Sequence, residues 1–384
     1  MTFHPFSTPV RSTNEFERKN LEIRKVQRVG HSTLTVSLPR DWVRQVGLRR
    51  GGVVTLRLSE FGELIVSPGS EIESDEMTIC RINADACKDS ELLARMITGN
   101  YILGRDTTIV SSTTELTVEQ LNAIRNSTRR LSGLGIVEQS PKETVIQCFL
   151  DPSKFPITGL LSRLHKVAVS MLETALQALM DRNFSLAIEV LELENEADRL
   201  YWLILRQIFR AISRIPLSRH VGIESATHAV GYRAVSKYLE EMADCSESIA
   251  NQIITMAEEK YTEYSSVIDE VCKFGVETLA TSNDAMNSFS MMDVELANRT
   301  IERSKRIEED QKRLTELVIS SVQDRKLCLV LRGIVWDLVQ ISRASQMVSE
   351  VALNRYLENN TEVSQFWKER KSGGDIQYLK KLAA

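Results

Sequence analysis

The chain lacks any apolar run near the roughly 18 residues that cross a bilayer. Its most apolar late stretch, Leu327 to Ser342, is broken by Arg332, Asp337 and Gln340. A soluble, cytoplasmic chain with no direct membrane insertion is therefore expected. The first twenty residues, MTFHPFSTPVRSTNEFERKN, have no apolar h-region of the kind a secretory signal needs. The six cysteines (Cys80, Cys87, Cys148, Cys245, Cys272, Cys328) contain no CxxC pair, which argues against a zinc ribbon, a dithiol redox centre and a disulfide scaffold. The five histidines cannot be combined with a nucleophile and an orienting acid. The Glu-x-x-His pairs of di-iron bundles are also missing, since Glu224 and His228 stand four apart. No enzyme is expected. Proline, with 8 residues, and aromatics, at 6%, are scarce, and abundant Leu, Ala, Glu and Arg tilt the chain toward helix.

What is present is unevenly placed. The net charge of −4 conceals a basic segment: residues 18–68 carry ten bases (Arg18, Lys19, Arg24, Lys25, Arg28, Arg40, Arg44, Arg49, Arg50, Arg57) against four acids. That segment is +6, which leaves −10 for the remainder, the pattern of a polyanion-binding head on an acidic body. A length of 384 residues allows two or three domains.

The head reads as β-β-α-β-β. The strand-like segments EIRKVQRV and STLTVS flank a turn at Gly30-His31. Ser37 is expected to cap a short helix with Pro39 and Asp41 in its first turn, an apolar face of Trp42, Val43 and Val46, and a stop at Gly47. Gly51-Gly52 turns the chain into VVTLRL, and Phe61-Gly62 turns it into ELIVS. So small a unit buries little by itself and should be completed by a second copy. Residues 76–150 alternate strand and helix in the order βαβαββ, with a capping box at Thr117 and Gln120. They offer no Gly-rich phosphate loop and no metal-type spacing, so a spacer or dimer support is expected. Pro152 and Pro156 mark the exit.

From Ile157 the apolar period is helical. Six stripes follow one another: Leu160 to Leu179, Ala187 to Ile208, Val235 to Ile253, Ile268 to Phe289, Ala297 to Val318, and Leu331 to Ala352. They predict six long helices in two sets of three. Breaks are expected near Asp181-Asn183, Ile215-Ser218, Lys260-Glu263, Met292-Asp293 and Asp324-Lys326. Asn183-Phe-Ser-Leu-Ala187 resembles Asp293-Val-Glu-Leu-Ala297, the signature of a diverged repeat. Two i,i+4 carboxylate pairs, Glu194 with Asp198 and Glu240 with Asp244, each lie on one helical face. They read either as a solvated acidic stripe or as donors for a divalent cation. Glu194 is the odder residue, because it holds a seam position between Val190 and Ala197 where Leu would be expected.

Two resemblances join these readings. The segment VQRVGHSTLTVSLPRDWVRQVGLRRGGVVTLRL resembles the SpoVT/AbrB-type swapped-hairpin module at Gly30, Ser32, Pro39, Gly47, Leu48, Arg49, Arg50 and Gly51, and departs from it at Gly52, where an acid is commoner. The doubled three-helix body, with LELENEADRLYWLILRQI and KYLEEMADCSESIANQI, is similar to the PhoU family. Together they resemble archaeal phosphate-uptake regulators. The fold so implied is α+β and mostly α: a tail (1–20), a swapped-hairpin head (21–70), a small α/β linker domain (76–150), PhoU-like tandem three-helix bundles (157–357) and a tail (360–384). For function, the resemblance implies a DNA-binding regulator of phosphate uptake with the helical body receiving the signal. The alternative is an adaptor for a transporter or kinase that uses the head only to form a homodimer. Arg24, Lys25, Arg28, Arg40, Arg44, Arg49 and Arg50 would meet double-stranded DNA. Glu194, Asp198, Glu240 and Asp244 match the family's Glu/Asp-x-x-x-Asp metal motif and would hold a divalent ion. Aligning Leu239 with Leu338 puts Val339 and Arg343 where the first repeat has Glu240 and Asp244, so no such site is expected in the second repeat.

Overall fold

The structure, a computed structural model, describes residues 23–30, 33–58, 64–69, 77–213, 215–256, 262–358, 361 and 364. The expected tails, apart from residues 361 and 364, lie outside the described residues, as do His31, Ser32 and the Phe61-Gly62 turn. The chain divides into two units, Met1–Glu76 and Met77–Ala384.

In the first unit β1 (Gln27–Val29) pairs antiparallel with β2 (Thr33–Thr35), and β3 (Val54–Leu58) pairs antiparallel with β4 (Leu64–Pro68). Between the two hairpins lies α1 (Arg40–Gln45). Its expected cap is corrected: Pro39 is the N-cap, no side chain caps the helix, and Ser37 stands two residues too early. The reason is local, because a residue before proline is held extended, so the helix cannot begin at Leu38. Gly47 ends α1 as expected, at φ +65°, with the Leu48 N–H returning to the Val43 carbonyl. Among the described side chains of this unit none is buried, and Ile23, Val26, Leu34 and Leu56 are all more than half exposed. Among its described residues the unit has apolar side chains and no buried core.

The second unit opens with a four-stranded sheet in the order β5-β6-β8-β7, formed by β5 (Ile79–Asn83), β6 (Thr107–Ser111), β7 (Leu134–Gln139) and β8 (Glu143–Cys148). β5 and β6 are parallel and the other pairs antiparallel, with a bulge between Ile136 and Glu138. α2 (Ser90–Ile102) and α3 (Val118–Arg130) cover one face. Ile82, Val110 and Ile146 point into that core with Leu93, Ile97, Tyr101 and Ile124. The Thr117–Gln120 capping box forms in full at the start of α3.

The helical body consists of α4 (Ile157–Asp181), α5 (Phe184–Ser213), α6 (Ile215–His220), α7 (Ala226–Ile254), α8 (Ser265–Met291), α9 (Val294–Ser321) and α10 (Arg325–Tyr356). These are the six expected long helices plus one short helix, α6, where a break was expected; Pro216, which suits a first helical turn, lies at its start. The predicted stripes are buried except Val167 and Leu279, which are half-buried at the edge of the core. One continuous apolar core joins both sets of three, with α7 packed along α10 and α4 along α8.

Candidate functional site

The α/β layer is fastened to the bundle through α5. Asp198, Trp202, Arg206 and Arg210 stand four residues apart, so they share one face of that helix. The Arg206 side chain is only 3% exposed, and its guanidinium donates to the carbonyls of Tyr101 (2.7 Å) and Arg105 (2.9 Å). Tyr101 lies in the last turn of α2, whose carbonyl end favours a cation. Arg210 donates to Asp106, which also accepts from the Thr78 N–H and hydroxyl at 2.9 Å each. Burial opposes ionisation of Asp106, yet these donors prevail and hold its carboxyl below the ordinary value. At the other end of the stripe Arg130, the last residue of α3, donates to Asp198 at 2.9 Å and lies 5.0 Å from the Trp202 ring centre. Sequence reading missed this attachment. The four-residue spacing of two arginines, a tryptophan and an aspartate was the available signal, but it does not say which neighbour covers that face.

Asp198 belongs to a second grouping. Glu194 and Asp198 on α5 lie within electrostatic range of Glu240, Asp244 and Glu247 on α7, which packs alongside. All four expected carboxylates are therefore brought together. Burial, then Asp198 and Glu247, push the Glu194 carboxyl up to about 7. Burial, then Glu240, push Asp244 up to about 6. Asp198 is also raised by burial, with Arg130 opposing. Such proton affinity marks an excess of negative charge in a partly desolvated place.

Half-buried oxygen donors suit a hard divalent ion in their chemistry. Their pairing is another matter: Asp198 engages Arg130, and Glu240 engages Lys237. Among the described residues no three His, Cys, Asp or Glu side chains are arranged as for one ion. In the second repeat Val339 is fully buried, and Arg343 pairs with Glu308 beside the Trp336 ring. His228 pairs with Glu358 at 2.7 Å and joins no acid set.

In the first unit Arg24, Lys25, Arg28, Arg40, Arg44, Arg49 and Arg50 are all exposed. Arg40 and Arg44 share a face of α1, Arg28 lies in β1, and Arg49 and Arg50 enter the Gly51 turn.

Comparison with known proteins falls on the helical body. The family model of the PhoU domain matches residues 161–253, the stretch from α4 to α7 that holds all four carboxylates. The chain is 26% identical over 210 residues to the "Phosphate-specific transport system accessory protein PhoU homolog 1" of Thermotoga maritima, covering 53% of this chain and 86% of that protein. Among solved structures, PhoU from Pseudomonas aeruginosa superposes with a TM-score of 0.46 at 15% identity, over 51% of this chain and 93% of that one. The phosphate transport system regulatory protein PhoU from Streptococcus pneumoniae gives 0.44 at 14% identity, over 51% and 91%. No described helix is long and apolar enough to cross a membrane.

Proposed function

We propose that the chain is a regulatory adaptor of phosphate transport, whose helical body binds a transport or signalling protein and whose first unit joins two copies. The observation that carries this reading is the PhoU-domain match over the first bundle, at the helices that also bear the α/β layer and the acidic grouping. Dimerisation through the first unit is suggested by its described apolar residues, which form no buried core and need a second surface to cover them. The adaptor requires no catalysis; it needs a rigid body and a face that changes with a signal. Only after release from Arg130 and Lys237 would Glu194, Asp198, Glu240 and Asp244 supply oxygen ligands to a divalent cation that adjusts that face.

A second reading, DNA-binding control of phosphate uptake, is favoured by the seven exposed bases of the first unit. The two readings part in one experiment. Phosphate uptake is followed in cells lacking the chain and supplied with either wild type or Arg24→Gln, Arg28→Gln, Arg49→Gln, Arg50→Gln. The adaptor expects control of uptake to survive the four substitutions. Loss of control, with loss of salt-dependent duplex binding in vitro, would replace it with the DNA-binding reading.

A further inference from the structure

α10 packs against α7, α8 and α9, and the side turned away from them is open. Arg325, Leu329, Arg332 and Trp336 follow one another there at intervals of four, three and four residues, which keeps them on one line of the helix. All four are exposed; Leu329 keeps 67% of its surface in solvent and Trp336 keeps 53%. Arg343, seven residues past Trp336, continues the line, lies 5.9 Å from the Trp336 ring centre and pairs with Glu308 of α9. Ile319, 54% exposed, stands eleven residues after Glu308 and so on the same face of α9. The two helices run antiparallel, with Ser304 bonded to Ser342, which brings Ile319 level with the Leu329 end of the line. The bases are not spent internally. Among the described residues no acid lies within ion-pair distance of Arg325, Lys326 or Arg332, and the adjacent Asp324 turns to the Leu327 N–H as the helix cap. The solvated face of a helix normally carries polar side chains alone, whereas leucine and tryptophan between arginines have the composition of a contact surface.

We propose that this line of α10 docks an acidic amphipathic helix of the transport or signalling partner, with Trp336 and Leu329 as its apolar anchors; the inference rests on the adaptor reading. Charge selects the sign of the occupant: the line and its border offer three unpaired bases, and no acid stands in the line itself. Shape selects a helix. A single row at heptad spacing on a convex helix is matched by the row of a second helix laid beside it. Leu329 and Trp336 are seven residues apart, so the partner would meet them with apolar residues one heptad apart and with Asp or Glu alongside. Width excludes a broad polyanion. On the α7 side of the line Glu241, Asp244 and Asp337 gather around Cys245, and Gln252 of α7 donates to Asp337 at 2.7 Å. A membrane surface or a duplex laid over α10 would be pressed against those carboxylates. A helix only about 10 Å across reaches the arginines without covering them. An exposed tryptophan at the centre of such a row is the residue type that anchors interfaces most often.

The test titrates the full chain with two labelled synthetic helices of three heptads, both with Leu along the seam, one with Glu beside it and the other with Lys. Phosphatidylglycerol vesicles are the third probe. The variants are Leu329→Ser with Trp336→Ser, and Arg325→Glu with Arg332→Glu; all four side chains are exposed, so circular dichroism and Tm should match wild type. Wild type should bind the acidic helix at least about tenfold more tightly than the basic one, and less tightly as salt rises. Each variant should lose at least about tenfold, and the charge-reversed variant should now prefer the basic helix. A merely structural role for these residues would not reverse that preference. Equal binding of the two helices, binding of neither, or binding of the acidic one that no variant weakens overturns the proposal. Vesicle binding that both variants lose, without selectivity for the acidic helix, gives the line to a membrane surface and also overturns it. Phosphate uptake in cells lacking the chain scores the adaptor reading separately. Control of uptake restored by wild type without helix selectivity, or restored equally by the Leu329→Ser, Trp336→Ser variant, overturns the docking line and leaves the adaptor. Helix selectivity without any control of uptake by wild type overturns the adaptor and, with it, the identity of the partner.

Discussion

Arg182 and Met292 adopt the same left-handed backbone conformation, at φ 53° and 54°, each closing the first helix of its three-helix set. Each is followed by the residue that opens the next helix: Asn183, whose side chain accepts from the Ser185 N–H, and Asp293, whose side chain accepts from the Leu296 N–H. The repeat legible in Asn183-Phe-Ser-Leu-Ala187 and Asp293-Val-Glu-Leu-Ala297 is thus a shared turn geometry. A side chain at positive φ costs free energy that glycine avoids. Arg182→Gly and Met292→Gly should each stabilise the chain by about 0.5–1 kcal/mol. Denaturant midpoints should rise with an unchanged slope; a fall would mean that these side chains contribute contacts worth more than the turn.

Arg206 is the buried end of the α/β attachment. Arg206→Met removes a guanidinium that satisfies two carbonyls, and should cost about 2–4 kcal/mol because those acceptors lose their partner. The loss should be local. Amide exchange should rise across residues 77–150 and stay unchanged in α8 to α10, and uniform acceleration would refute the attachment.

The acidic grouping gives a pH dependence of defined sign. Glu194 has a folded value raised from 4.5 to about 7, so the folded chain binds the extra proton between those values. Its contribution is present in full below about 4.5 and is lost as pH rises through about 7. Glu194→Gln should therefore be more stable than wild type at pH 8, by about 1 kcal/mol after allowance for solvent screening, and the difference should vanish by pH 4.5. Melting curves of the two proteins across that range test this. A constant gap would mean that the substitution acts through packing.

Divalent cations should bind the first repeat and leave the second unoccupied, since Arg343 stands there among the aligned positions. The ion must displace Arg130 from Asp198, so Arg130→Ala should tighten binding by about tenfold. Glu240→Gln with Asp244→Asn should abolish both uptake and thermal stabilisation in calorimetric titration. Equal metal content and equal shifts in wild type and the double variant would leave these acids as a solvated face.

The sequence by itself determined the order of elements: the β-β-α-β-β head, the strand-and-helix layer and the six long helices. It did so because apolar periodicity, capping residues and turn glycines act over a few neighbours, as at Thr117 with Gln120 or at Gly47. It also determined that Glu194 would sit uneasily on a buried seam, since its neighbours Val190 and Ala197 mark the stripe. Where local signals were too weak, the reading slipped: Ser37 has the right chemistry for a cap but precedes a proline that fixes where the helix starts. Only the tertiary structure decided which faces meet. Arg130 and Asp198 are 68 residues apart, Arg206 and Tyr101 are 105 apart, and no short-range pattern sets such a pair. The same holds for the acids of α5 and α7, whose raised proton affinity arises from burial and from each other once the helices pack. Long-range contacts depend on the summed packing of whole faces, and that quantity exists only in the folded chain.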